Sequence, residues 1–235
     1  MKKVVLFSSI AVAMTATLLA AESNPKEEVT KAAKKLGDTA NYSWHSAVVV
    51  PESAQFRPGP TDGKTEKDGF THLTLSFGDN KTEAVLKGDK AAATNQDGEW
   101  QSLADMDNAE GPARFMGAML RNFKKPSEQA AQLASFAKEL KKEGDVYSSD
   151  LTEEGAKTLL TFRRRAGGDS SVTNPKGSVK FWVKDGELTK YEFNVKGTVS
   201  FNGNEFEQDR TTTVEIKDVG KTKTEVPEGA KKKLT

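Results

Sequence analysis

The chain has 235 residues, 35% of them hydrophobic and 29% charged, with 35 basic side chains against 34 acidic ones and no cysteine. That length suits one large β-rich domain or two small ones, and the Phe, Trp, Leu and Val content supports a folded core rather than a disordered tail. The near-neutral balance argues against nucleic acid as a partner, which needs a concentrated positive field. The absence of cysteine excludes disulfides, thiol nucleophiles, zinc–cysteine sites and a cysteine-borne lipid anchor.

The chain opens on Met1-Lys2-Lys3, a mostly apolar run from Val4 to Leu19, and the small residues Ala20-Ala21 before the charged Glu22. This is the pattern of a secretory signal peptide over residues 1–21, cleaved near Ala21. The alternative is an uncleaved anchor, since the run approaches the roughly 20 residues that span a bilayer, but Ser8, Ser9, Thr15 and Thr17 weaken it. Cleavage removes Lys2 and Lys3 and no acid, leaving 33 bases against 34 acids. The expected product is periplasmic or secreted, does not span a membrane, and forms a single domain over 22–235.

Asn24 as cap, Pro25 at the first helical position and Glu27 at capping-box spacing open a helix. Val29, Ala32, Ala33 and Leu36 line its apolar face, and Gly37 supplies a left-handed stop. Asn41 to Val50 follows as a long strand. Pro51 to Asp68, with Pro51, Pro58, Pro60, Gly59 and Gly63, predicts an exposed loop. In Phe70 to Phe77 apolar Leu73, Leu75 and Phe77 alternate with polar residues. Thr82 to Leu86, a Gly88-Asp89 turn, Ala91 to Thr94 and an Asp97-Gly98 turn before Trp100 extend this meander. A helical insertion at about 102–162 comes next. Phe115, Met116, Met119, Leu120 and Phe123 recur at helical spacing, and after Pro126 so do Ala130, Leu133, Ala134, Ala137 and Leu140. A third helix covers Thr152 to Phe162, with Thr152 as its cap. Arg163 to Lys176 predicts a basic Gly-Ser-Asn-Pro loop.

Asp185-Gly186 and Asn202-Gly203 are both two-residue hairpin turns. With Asn202-Gly203 at the tip, Val199 pairs with Phe206, Val195 with Arg210, Phe193 with Thr212 and Tyr191 with Val214, which gives a coherent inner face. Counted through Asp185-Gly186, Trp182 shares a face with Tyr191, while Phe181, Val183 and Leu188 fall on the other. That requires either a bulge or cover on both faces, and the supply of amphipathic helices favours cover on both.

Two stretches carry a resemblance: LKGDKAAATNQDGEWQSL from Leu86 to Leu103, and GSVKFWVKDGELTKYEFNVKGTVSF from Gly177, followed by TTTVEIKDVGKTKTEVPEGAK. With the element order, they resemble the superfamily of the periplasmic lipoprotein carrier LolA and its mycobacterial relatives of the LppX and LprG type. The resemblance implies an α+β fold: a curved antiparallel half-barrel with helices on its concave face and an apolar cavity for acyl chains between them. Phe115, Met116, Met119, Leu120 and Phe123 would then form a lid, and methionine's adaptable thioether suits that task. Trp44, Trp182, Tyr191, Phe193 and Val195 would line the cavity from the sheet, although packed core residues would read the same way. The carrier's cavity arginine has no match in these motifs.

Catalytic chemistry is not legible. His45 and His72 lie on strands with no acid at metal-ligand or relay spacing, so no metal and no cofactor are expected. Ser170 and Ser171 sit in a Gly-Asp-rich loop without a nucleophile elbow. Arg163 to Arg165 beside Gly167-Gly168 read as a solvated helix end more readily than as an anion site. Glu205, Glu207 and Asp209 alternate as the solvent face of a strand. The expected function is a non-enzymatic binding or carrier protein for an apolar or amphiphilic ligand, its partners being lipid or lipoprotein acyl chains. The alternative is a protein-interaction domain of the cell envelope, with another envelope protein as partner and its concavity filled by its own helices.

Overall fold

The computed structural model describes residues 24–54, 57–161, 170–201 and 204–234. The expected signal peptide, the Arg163–Arg165 run with Gly167-Gly168, the Asn202-Gly203 tip and Phe162 of the third helix lie outside the described residues. In chain order the elements are α1 (Pro25–Asp38), β1 (Asn41–Val49), β2 (Thr61–Glu66), β3 (Thr71–Phe77), β4 (Asn80–Lys87), β5 (Lys90–Thr94) and β6 (Trp100–Ser102). Then come α2 (Leu103–Asp107), α3 (Pro112–Arg121), α4 (Pro126–Phe136), β7 (Lys141–Glu143), β8 (Val146–Asp150) and α5 (Glu153–Thr161). The chain closes with β9 (Ser170–Lys184), β10 (Glu187–Phe201), β11 (Asn204–Lys217) and α6 (Glu228–Lys233). All strands join one antiparallel sheet in the order β6-β5-β4-β3-β2-β1-β11-β10-β9-β8-β7.

In α1 the Asn24 side chain accepts from the Lys26 N–H at 3.0 Å, while Glu27 pairs with Lys31 at 3.6 Å. Val29, Ala32, Ala33 and Leu36 are buried as their spacing predicts. Gly37 does not stop the helix, which runs on to Asp38 and ends at an extended Thr39. Its missing side chain serves packing: a Cβ there would stand 3.3 Å from Ser127 Oγ of α4.

The 51–68 stretch is not all loop, because β2 fills the sheet between β1 and β3. The strand escapes a hydrophobic-pattern reading because its inward positions are Gly63 and Thr65. Gly63 lies opposite Trp44, and a Cβ on it would come within 2.1 Å of the indole, so the glycine is the slot that the tryptophan fills. A second unforeseen hairpin, β7–β8, occupies part of the expected helical insertion. Helix α4 ends at Phe136, and Ala137 bridges to Leu151 in strand geometry. Ala137 and Leu140 are still buried, since the core accepts them from either backbone.

The β10–β11 register matches the hairpin count at Val199↔Phe206, Val195↔Arg210, Phe193↔Thr212 and Tyr191↔Val214. At Asp185-Gly186 the structure chooses the bulge. A register shift between Leu188 and Lys190 sets Phe181 opposite Tyr191 and Trp182 opposite Lys190. Phe181, Val183, Leu188 and Tyr191 are therefore buried together. Trp182 faces the other side, with the Lys190 ammonium 4.7 Å from its ring centre. Strand β9 also starts earlier than expected, so Ser170 and Ser171 lie on a strand rather than in a loop. An irregularity between Lys196 and Thr198 absorbs Pro175 and Asn174, whose φ is 52°.

Helices α1, α4 and α5 pack on the β8–β10 end of the concave face, where Tyr147, Phe181, Tyr191, Val179 and Val195 are fully buried. Each large side chain removed from water here stabilises the fold by roughly 1.5–3 kcal/mol. Cover on the convex face is found at the opposite end of the sheet, where α6 and Val226 close over Val85, Ala92 and Trp100.

Candidate functional site

Over β1–β6 the concave face is covered differently. The next helix to lie there, α3, starts at Pro112 after Gly111, whose φ of 62° turns the chain sharply. It approaches α2 closely because Gly117 carries no side chain: a Cβ there would meet Met106 Cβ at 3.0 Å. An Arg121–Asp107 ion pair ties the two helices together. The hollow beneath α3 has two compartments.

The inner compartment is a cavity of about 220 Å³ between β1, β3, β10 and β11 and the helices α3 and α4. Trp44, Leu73, Leu75, Met119, Phe123 and Phe193 make it greasy, with the Trp44 and Phe123 rings stacked at 6.0 Å and 20°. Three of its polar groups are engaged internally. The Trp44 indole N–H donates to Thr65 Oγ1 at 3.2 Å, the Tyr191 hydroxyl to Gln129 Oε1 at 2.7 Å, and Arg210 Nη2 to the Leu159 carbonyl at 2.7 Å. Burial pushes the Tyr191 phenol well above its ordinary pKa, so it stays a neutral donor.

The outer compartment is a groove of about 740 Å³ between α2–α3 and the ends of β3–β6. Phe77, Met106, Phe115 and Met116 form its apolar floor, and side chains including Asn80, Thr82, Asn95, Gln96 and Gln101 form its rim. Leu75 and Phe77 alternate along β3, and Met116 and Met119 lie one turn apart on α3, so each pair steps from one compartment to the other. Leu120 and Phe123 also back onto a separate, polar depression of about 470 Å³ that includes Lys90, Arg121, Lys125 and Glu128.

Six of the residues singled out from the sequence thus meet at the inner cavity: Trp44, Met119, Leu120, Phe123, Tyr191 and Phe193. Phe115 and Met116 line the groove instead. Two do not join either compartment. Val195 is sealed in the packed end of the core, and Trp182 lies on the convex face because of the bulge. Sequence reasoning missed Leu73, Leu75, Val214 and Arg210 as lining residues. All four stand at inward positions of strands it did identify, and the inward parity of Arg210, opposite Val195, was readable as a polar group on an apolar face.

The histidines do have carboxylate neighbours, supplied across strands where linear spacing could not show them. His45 Nδ1 lies 2.8 Å from Asp62 Oδ1, and His72 Nε2 lies 3.7 Å from Glu83 Oε2. Among the described residues no group of three or more His, Cys, Asp or Glu side chains is placed to hold a metal ion.

No family model matches the chain, and no curated protein matches it. Among solved structures it is similar to the lipoprotein LppX of Mycobacterium tuberculosis, at 7% identity over 85% of this chain and 97% of that one, with a TM-score of 0.51. LprF from Mycobacterium bovis is similar at 9% identity over 88% and 97%, TM-score 0.46. A LolA superfamily protein from Nitrosomonas europaea is similar at 12% identity over 90% and 97%, TM-score 0.35. The likeness to LppX shows the fold: this chain forms an α+β half-barrel like that of LppX, an open antiparallel sheet with helices on its concave face.

Proposed function

We propose that this protein is an exported envelope protein that binds an amphiphile and carries it with its apolar part between α3 and the β1–β6 end of the sheet. The observation that supports this reading is the unfilled apolar hollow. Over β8 and β9 the helices α1, α4 and α5 fill the core, whereas beneath α3, with α4 and Leu159 of α5 at its flank, there remain a groove of about 740 Å³ and an inner cavity of about 220 Å³. The groove falls in the range typical of small-molecule sites, roughly 300–1,000 Å³. Burying roughly 300 Å² of acyl surface there would contribute about 7 kcal/mol before the costs of association. Methionines at 106, 116 and 119 give the walls the compliance that a flexible chain needs.

Export rests on the signal-peptide pattern of residues 1–21. No described helix is long and apolar enough to cross a membrane. In the inner cavity Trp44, Tyr191 and Arg210 are committed to internal hydrogen bonds, which supports binding rather than catalysis. The experiment is native mass spectrometry of the full chain purified from an envelope fraction. An adduct of lipid mass released by organic extraction is expected, whereas protein that stays empty, and that also fails to take up dodecyl amphiphiles in solution, would refute the proposal.

A further inference from the structure

We infer that the amphiphile's headgroup is uncharged and rich in hydroxyls, sugar-like in chemistry, and that it sits at the rim of the groove between α2–α3 and β4–β6. This rests on the reading of the groove floor as the apolar site. Lysine and arginine make up 35 of the 235 residues, yet among the described residues none lines this groove. Among the described residues its only charged lining side chains are Asp97 and Glu110, both exposed and both negative. An anionic headgroup would meet two like charges and no counter-charge.

The contrast is local. The depression behind Leu120 and Phe123 holds Lys90, Arg121 and Lys125, so cations are available nearby and are kept out of the groove. What the rim offers instead is neutral and two-sided. Asn80, Thr82, Gln96 and Gln101 each carry both donors and acceptors, the match for a hydroxyl, which also does both. Asn95 is oriented for the same task. Its side-chain oxygen accepts from the backbone N–H of Asp97 at 3.0 Å and of Glu99 at 2.8 Å, which leaves its NH₂ group to donate outward. A cationic headgroup would be drawn to the same two carboxylates but would leave the rim's paired donors and acceptors unused.

Three probes with one dodecyl tail, used below their micelle concentrations, separate the cases by isothermal titration calorimetry at low salt: dodecyl maltoside, dodecyl phosphate and dodecyltrimethylammonium. The maltoside should bind at least about tenfold more tightly than the phosphate, the size expected from two carboxylates at contact range. It should also exceed the ammonium probe. Asp97→Lys with Glu110→Lys should raise phosphate affinity about tenfold relative to the maltoside. Gln96→Ala with Gln101→Ala should weaken the maltoside and not the other two. These side chains lie at the surface or only partly covered, and circular dichroism melts of each variant check that the fold is kept. Equal binding of phosphate and maltoside, or tightest binding of the ammonium probe, overturns the headgroup inference while the carrier reading stands. Failure of every probe to bind takes down the carrier reading and this inference together.

Discussion

Replacing Gly63 by alanine tests the packing that shapes the inner cavity. The added methyl would stand 2.1 Å from Trp44 Cε2 and 2.2 Å from Cζ2, so the indole has to leave the slot between β2 and Phe123. Overpacking of this kind costs about 1–3 kcal/mol, and losing the Trp44–Thr65 hydrogen bond adds about 1 kcal/mol. In a chain of this size each kcal/mol lowers Tm by about 2–4 °C, so the expected fall is roughly 5–15 °C. Urea unfolding followed by circular dichroism measures the free energy directly. The control is the same substitution in a Trp44→Leu background, where the new methyl has no indole to strike. Its cost there should shrink to under about 0.5 kcal/mol, a coupling of at least about 1.5 kcal/mol. Penalties that simply add, or a Gly63→Ala protein within about 0.5 kcal/mol of the parent, would refute the claim that the glycine exists to seat the tryptophan. Binding of dodecyl maltoside should weaken in Gly63→Ala as well, because Trp44 lines the cavity.

Phe115 is 44% exposed on the groove floor, so Phe115→Asp should change stability by no more than about 1 kcal/mol while weakening amphiphile binding about tenfold. The fully buried Leu133→Asp, measured by the same melts, should instead unfold the protein. All three tyrosines, Tyr42, Tyr147 and Tyr191, have phenol pKa values raised chiefly by burial. Ionisation therefore favours the unfolded chain: the contribution is intact below the unfolded value of about 10 and is lost as pH climbs through the raised folded values. Unfolding free energies should hold to about pH 9 and fall above it, with a shallower fall in Tyr191→Phe; a flat profile to about pH 12 would contradict this. Asp105, whose carboxyl is lowered to about 2 first by the Ser102 backbone N–H and then by Lys233, should rise in Lys233→Ala without regaining its ordinary value. A carboxyl-carbon NMR titration reads that shift, and no change would show that the α6–α2 contact is absent in solution.

Legibility followed the apolar side chains. The β10–β11 register followed from counting out from the Asn202-Gly203 turn, and it held because Tyr191, Phe193, Val195 and Val199 all demand one face. Strand β2 stayed hidden because its inward residues, Gly63 and Thr65, serve Trp44 by leaving room and accepting a hydrogen bond, and neither service has a hydropathy signature. Trp182 was assigned to the wrong face by a one-residue bulge, the kind of irregularity that inverts a strand's parity without changing its composition. The lid helix was readable from Phe115, Met116, Met119, Leu120 and Phe123, but how those residues divide between groove and cavity depends on the α2–α3 approach at Gly117. The rim amides carried no signal, since Asn80, Gln96 and Gln101 look like any loop or strand polar residue until the curvature of the sheet brings them together.

The pairing of β1 with β11, from Ser43↔Lys217 to Val49↔Thr211, has a consequence for how the molecule assembles. Every other pair of neighbours in the sheet is consecutive in strand order, so each flank can form from connections far shorter than the whole chain, even where α5 intervenes between β8 and β9. The central ladder alone joins the two ends of the polypeptide and must close a loop that contains nearly everything else, the slowest class of contact to form. A chain delivered amino terminus first would hold one side of β1 unpaired until its last long strand emerged. Truncation before residue 204 would therefore leave two unconnected sheets with adhesive edges, and aggregation rather than a smaller folded protein is the expected product.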